Sequence, residues 1–114
     1  MKEKAWRVLL IESGFLIMTV AAVSLFYRQN SFLLMLMAAG WVVAIKFFHT
    51  KEDLVLLLSG AVIGAVAEIL SVRTGAWSYA NPTMLGVPVW LPLLWGGSLL
   101  FMKKFSQTIL KVLR

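Results

Sequence analysis

LVLLLSGAVIGAVAEILSV, residues 54–72, is a run of 19 residues with a single charge, Glu68. As a helix it would cover about 28 Å, close to the roughly 30 Å hydrocarbon thickness of a bilayer. A segment apolar on every side cannot form the surface helix of a soluble domain. It therefore predicts a membrane span. The polar stretch His49-Thr50-Lys51-Glu52-Asp53 precedes it and Arg73 closes it. Thr50 and Asp53 are both candidate caps for its start.

Outward from that run, similar segments recur at about 8–27, 32–48 and 88–105. The chain has 114 residues, 61% hydrophobic and 14% charged, too little polar surface for a soluble domain of this size. The expected fold is all-α: a polytopic membrane protein with four transmembrane helices in one membrane domain, 1–114. The first segment has the basic start of a signal peptide, but its apolar run is long and ends without a small-x-small cleavage site, so it is expected to be retained. Between the third and fourth spans lies the longest connection, 73–87, with Gly75, Asn81-Pro82 and Gly86 as turn formers and Trp77 and Tyr79 as interfacial anchors. The final stretch, 105–114, alternates Gln107, Lys111 and Arg114 with Phe105, Ile109, Val112 and Leu113 at helical spacing, which predicts an amphipathic tail on the membrane surface.

Lys and Arg set the orientation. Lys2, Lys4, Arg7, Lys46, Lys51, Lys103, Lys104, Lys111 and Arg114 share one side, and only Arg28 and Arg73 fall on the other. Nine against two places both termini in the cytoplasm, in a multi-pass protein of the cell membrane. The net charge of +6 flanks apolar runs, so anionic lipid headgroups are its expected partner rather than nucleic acid. With no Cys and one His, thiolate and His-rich metal sites are excluded, and no metal or other cofactor is expected. His49 belongs to the polar loop. Gly60, Gly64, Gly96 and Gly97 offer close-packing surfaces, and four short helices leave little interior, so a homo- or hetero-oligomer is expected.

Glu68 is the leading site candidate. It lies about one turn from the outer end of its span, on a face with Ala61, Gly64, Ala65 and Ser71, so it is expected to point into the bundle. An intramembrane carboxyl is costly and is a functional hypothesis by default. The bland alternative is a hydrogen bond between helices or a pair with Arg73 or Arg28. Glu12 is a possible second acid, though its neighbours Lys4 and Arg7 suit a simple pairing. By helical rise it lies about 7 Å inside the cytoplasmic boundary against about 20 Å for Glu68, which argues against a carboxylate pair. Trp77, Tyr79, Trp90 and Trp95, with Arg73, fall on the Glu68 side; the alternative to a ligand site is an aromatic belt. An acid in an aromatic-walled apolar site suits protonation of a carbon–carbon double bond, with ring faces stabilising the cation. It equally suits binding a lipid or polyprenyl chain without reaction.

From Glu68 to Trp95 the sequence reads E-x6-G-x-W-x-Y, then N-P, then G-x-P-x-W-L-P-x-x-W. This resembles small bacterial and archaeal membrane proteins of unknown function with the same Pro/Trp ending. More distantly, it resembles the bacterioruberin-type hydratases of carotenoid biosynthesis. The resemblance implies an isoprenoid or carotenoid ligand and a proton-donating Glu68, with Gly75, Trp77, Tyr79, Pro88, Pro92 and Trp95 at matching positions. Those hydratases are longer, which implies a partner chain completing the site. Length and helix count also resemble the small multidrug transporters, which would make Glu12 or Glu68 a proton-coupling group. A non-enzymatic membrane subunit, in which Glu68 only joins helices, is the second reading, and the transporter is the third.

Overall fold

The computed structural model describes residues 2–47 and 50–114. Among them are four helices: α1 Lys2–Phe26, α2 Asn30–Phe47, α3 Lys51–Arg73 and α4 Leu91–Leu113. His49 and the expected end of the second helix at Phe48 lie outside the described residues.

The α3 boundaries follow from its termini. Thr50 is the N-cap, its Oγ1 accepting from the Asp53 N–H at 3.1 Å, and Glu52 and Asp53 place negative charge in the first turn. At the other end Gly75 adopts φ +84°, its N–H donates to the Val72 carbonyl, and the Ala76 N–H reaches back to Ser71. That pair of bonds, with a left-handed glycine, closes the last turn and reverses the chain over it. Asn30, by contrast, is already the first residue of α2 and does not cap it. The Gln29 carbonyl accepts the first bond of α2, from the Leu33 N–H, while the Asn30 side chain is engaged across the bundle.

Helix starts differ from the sequence reading, most clearly in α1 and α4. α1 starts at Lys2 rather than near residue 8, because Glu3 and Arg7 pair at i,i+4 and the polar start stays helical. α4 starts at Leu91 rather than near Pro88. Pro88 instead opens a turn, its carbonyl accepting from the Leu91 N–H, and Pro92 falls in the first helical turn, where its missing N–H is harmless. The amphipathic stretch from residue 105 continues α4.

α4 is the central helix, packing chiefly on α3, then on α1 and α2. Glycines make the α3–α4 contact close. A Cβ on Gly60 would lie 3.1 Å from the Gly96 Cα, one on Gly64 would collide with the Trp95 ring, and one on Gly96 would collide with the Leu57 carbonyl. These three glycines are thus taken up inside the chain. Trp41 of α2 donates from Nε1 to the Leu93 carbonyl at 2.9 Å, fixing α2 to the same helix.

Leu33, Val87, Trp90 and Leu91 form the buried core, toward the end of the bundle that holds the 74–90 connection. A tight turn delivers Val87 there. Leu85 and Gly86 take φ 49° and 87°, and Met84 and Val87 pair across them. Two consecutive positive φ values are the hallmark of a type I′ turn. A side chain on Gly86 would also meet Val72 Cγ1 at 2.8 Å.

Outside this core the helices face outward with apolar side chains: Leu10, Ile17, Met18 and Leu25 on α1, Met35 and Val42 on α2, and Leu58 and Ile63 on α3 are all more than half exposed. α1 and α3 are each long and apolar enough to cross a membrane, with mean hydropathy 2.2 over windows that are 0% and 17% buried.

Candidate functional site

Glu68 projects from the last turns of α3 into a junction of three elements. Its Oε2 accepts from the Trp77 indole N–H at 2.8 Å and its Oε1 from the Trp95 indole N–H at 3.3 Å. Each contact has a local cause. Trp95 crosses α3 at Gly64, one turn before Glu68, where the absence of a Cβ lets the ring lie against the helix. Trp77 returns to Glu68 because the glycine closure at Gly75 folds the chain back over α3 two residues earlier. Tyr79 stands beside the same carboxyl group. Burial, and then its interaction with Glu68, push the Tyr79 phenol up to about 12.

The connection is latched from the other side. Asn30 donates from Nδ2 to the Asn81 carbonyl at 2.8 Å and accepts from the Trp90 indole at 3.0 Å, while Asn81 donates to the Arg28 carbonyl at 2.8 Å. The α1–α2 turn therefore holds the loop that holds Glu68.

A groove of about 330 Å³ opens beside the carboxyl group. Val23, Leu91 and Leu94 give it apolar walls, and Trp90, Trp95 and Tyr79 line it with aromatic rings. Ser98 completes the lining, its hydroxyl donating to the Leu94 carbonyl at 2.6 Å.

The structure thus brings Glu68, Trp77, Tyr79 and Trp95 together, with Trp90 in the groove wall. Arg73 is exposed and does not line the groove. Among the described residues no Lys or Arg pairs with Glu68, so the alternative of a salt bridge to Arg73 or Arg28 is not realised. Glu12 lies elsewhere: its Oε1 accepts from the Thr108 hydroxyl at 3.1 Å. Thr108 follows Trp95 by 13 residues of α4, about 20 Å along the helix, so the two glutamates belong to opposite ends of the bundle.

Sequence reasoning missed Ser98, the Asn30–Asn81 latch and the burial of an acid at the other end of α3. Asp53, fully buried, accepts on Oδ1 from Lys103 and Lys104, both at 3.1 Å, and Lys103 also pairs with Glu52. The available signal was the adjacency of two acids in the first turn of α3 and of two lysines in α4. Among the described residues no cluster of His, Cys, Asp and Glu could hold a metal ion.

Comparison of the chain with protein-family models, curated proteins and solved structures returns no match.

Proposed function

We propose that this chain is a four-span integral membrane protein of the cell membrane, with both termini cytoplasmic, that takes an apolar isoprenoid-type ligand into the groove beside Glu68. The single observation that carries the ligand reading is a carboxyl group bordering an aromatic-walled apolar groove. The span reading draws on the outward-facing apolar surface of α1 and α3, which exceeds what a soluble monomer leaves exposed. The bundle is 46 Å long, enough to cross the hydrocarbon and reach both headgroup layers. Asp53 with Lys103 and Lys104, and Glu12 with Thr108, bring the basic starts of α1 and α3 and the basic end of α4 to one end, in keeping with a cytoplasmic face there.

The chemistry suited to this site is hydration of a carbon–carbon double bond. Glu68 in its acid form gives its proton to one carbon, and water attacks the cationic carbon. The surplus proton returns to Glu68, so that water has added across the bond and the acid is restored. The rings of Trp90 and Trp95 would stabilise the intermediate cation.

A second reading has its own support. Both Glu68 oxygens already accept indole protons, one from the loop and one from α4, so Glu68 also suits a brace in a non-enzymatic membrane subunit. Mass spectrometry of lipids retained through mild purification separates the two, with Glu68→Gln in parallel. The ligand reading expects a specific polyprenyl species on the wild type that the variant loses while remaining assembled. Absence of any such species from both proteins, with assembly unchanged, leaves the brace.

A further inference from the structure

The hydrogen-bonding inventory of the groove is one-sided. An indole has one N–H and a hydroxyl one O–H. The Trp95 proton goes to Glu68, the Trp90 proton to Asn30 Oδ1, and the Ser98 proton to the Leu94 carbonyl. The Tyr79 phenol hydrogen-bonds the Glu68 carboxyl group beside it. Among the described residues lining the groove none is Lys, Arg, His, Asn or Gln. What remains is acceptor capacity: a carboxylate offers about four lone-pair sites, of which the two indoles and the Tyr79 phenol occupy three, and the Ser98 oxygen keeps lone pairs of its own.

We infer that the groove selects an apolar chain whose polar end is a hydrogen-bond donor, a hydroxyl or an ammonium group, seated on the Glu68 carboxylate, and that it rejects chains ending in phosphate or diphosphate. This rests on the apolar-ligand reading above and narrows it. A donor head finds unsatisfied acceptors. A phosphate would leave water to face a carboxyl group and aromatic walls whose indole, serine and phenol protons are already engaged, and a buried acceptor without a donor is disfavoured. An isoprenoid diphosphate would therefore need its diphosphate removed, by a separate hydrolytic reaction, before its chain could enter.

The test uses the full chain in lipid nanodiscs with farnesol, farnesylamine and farnesyl phosphate as probes. Tryptophan fluorescence reads binding, and empty nanodiscs correct for partitioning. The expected result is saturable binding of the alcohol and the amine, with the phosphate at least about tenfold weaker. Glu68→Gln should weaken the amine most and narrow its gap from the phosphate. Phosphate binding equal to or tighter than that of the alcohol overturns the inference and leaves the apolar-ligand reading standing. If none of the three saturates, the apolar-ligand reading fails, and this inference with it.

Discussion

α3 carries a buried or half-buried acid near each end, and the two are treated in opposite ways. Asp53 is 0% exposed and bonded to two lysine ammonium groups from α4. Glu68 is bonded to two indoles, with a phenol alongside and no cation among the described residues. Opposite charges that cancel in place explain Asp53 as an anchor between two helices. Neutral donors leave whatever charge Glu68 carries uncancelled, which a purely architectural contact does not require. The same helix thus shows what an acid looks like when folding alone accounts for it, and what it looks like when something is left over for a ligand.

The sharpest way to break that contrast is to remove each acid. Asp53→Ala takes away the acceptor shared by Lys103 and Lys104, whose side chains are only 17% and 24% exposed. Stripping one partner from a fully buried ion pair costs about 3–5 kcal/mol, and the loss here falls short of that because both lysines reach solvent and Lys103 keeps Glu52. Thermal unfolding in mild detergent should show a large loss for this variant. Glu68→Gln keeps one acceptor oxygen and should lose about 1 kcal/mol. Equal losses from the two variants would mean that Glu68 is an anchor of the same kind.

How much of this was readable beforehand differs between the two ends for a physical reason. The helices were legible because apolar runs, turn formers and a Thr50 cap act locally. Glu68, Trp77, Tyr79 and Trp95 were legible as a group because each is chemically unusual where it sits and all fall on one side of the chain. The Asp53 clasp was not, since it joins residues 50 positions apart and each looks ordinary in a polar segment. The role of Asn30 is hidden for the same reason. Its local context suggests a cap, but its partners Asn81 and Trp90 arrive from 51 and 60 residues away. The glycines suggested close packing but not its partner, because whether a small face meets its own chain or another is decided only by the tertiary arrangement.

A middle-sized effect should come from the packing that links the two ends. Gly64→Ala places a methyl group against Trp95, so either the ring leaves Glu68 or α3 and α4 separate. Overpacking of this kind costs about 1–3 kcal/mol. Gly14→Ala is the control, because a Cβ there meets nothing within 4 Å, and the better helix former should hold stability or raise it slightly. A blue-to-red shift in tryptophan emission confined to the Gly64 variant would place the strain at Trp95. Matching behaviour of the two variants would show that the close crossing of α3 and α4 does not position the site.

The smallest effect addresses whether the Glu68 end is held by neutral donors at all. The Tyr79 phenol is pushed from 10.0 up to about 12, first by burial and then by Glu68. A raised phenol means the folded chain keeps a proton that the unfolded chain has released, so the stability linked to Tyr79 is complete below pH 10 and is lost as pH rises through about 12. Phenolate absorbance of the wild type minus that of Tyr79→Phe should therefore rise with a midpoint near 12. In a Glu68→Gln background the same difference should move back toward the ordinary tyrosine range without reaching it, because burial remains when the carboxylate is gone. An unmoved midpoint would assign the whole shift to burial and detach Tyr79 from Glu68. The carboxyl group would then be left with two indoles, and the contrast with Asp53 would rest on tryptophan alone.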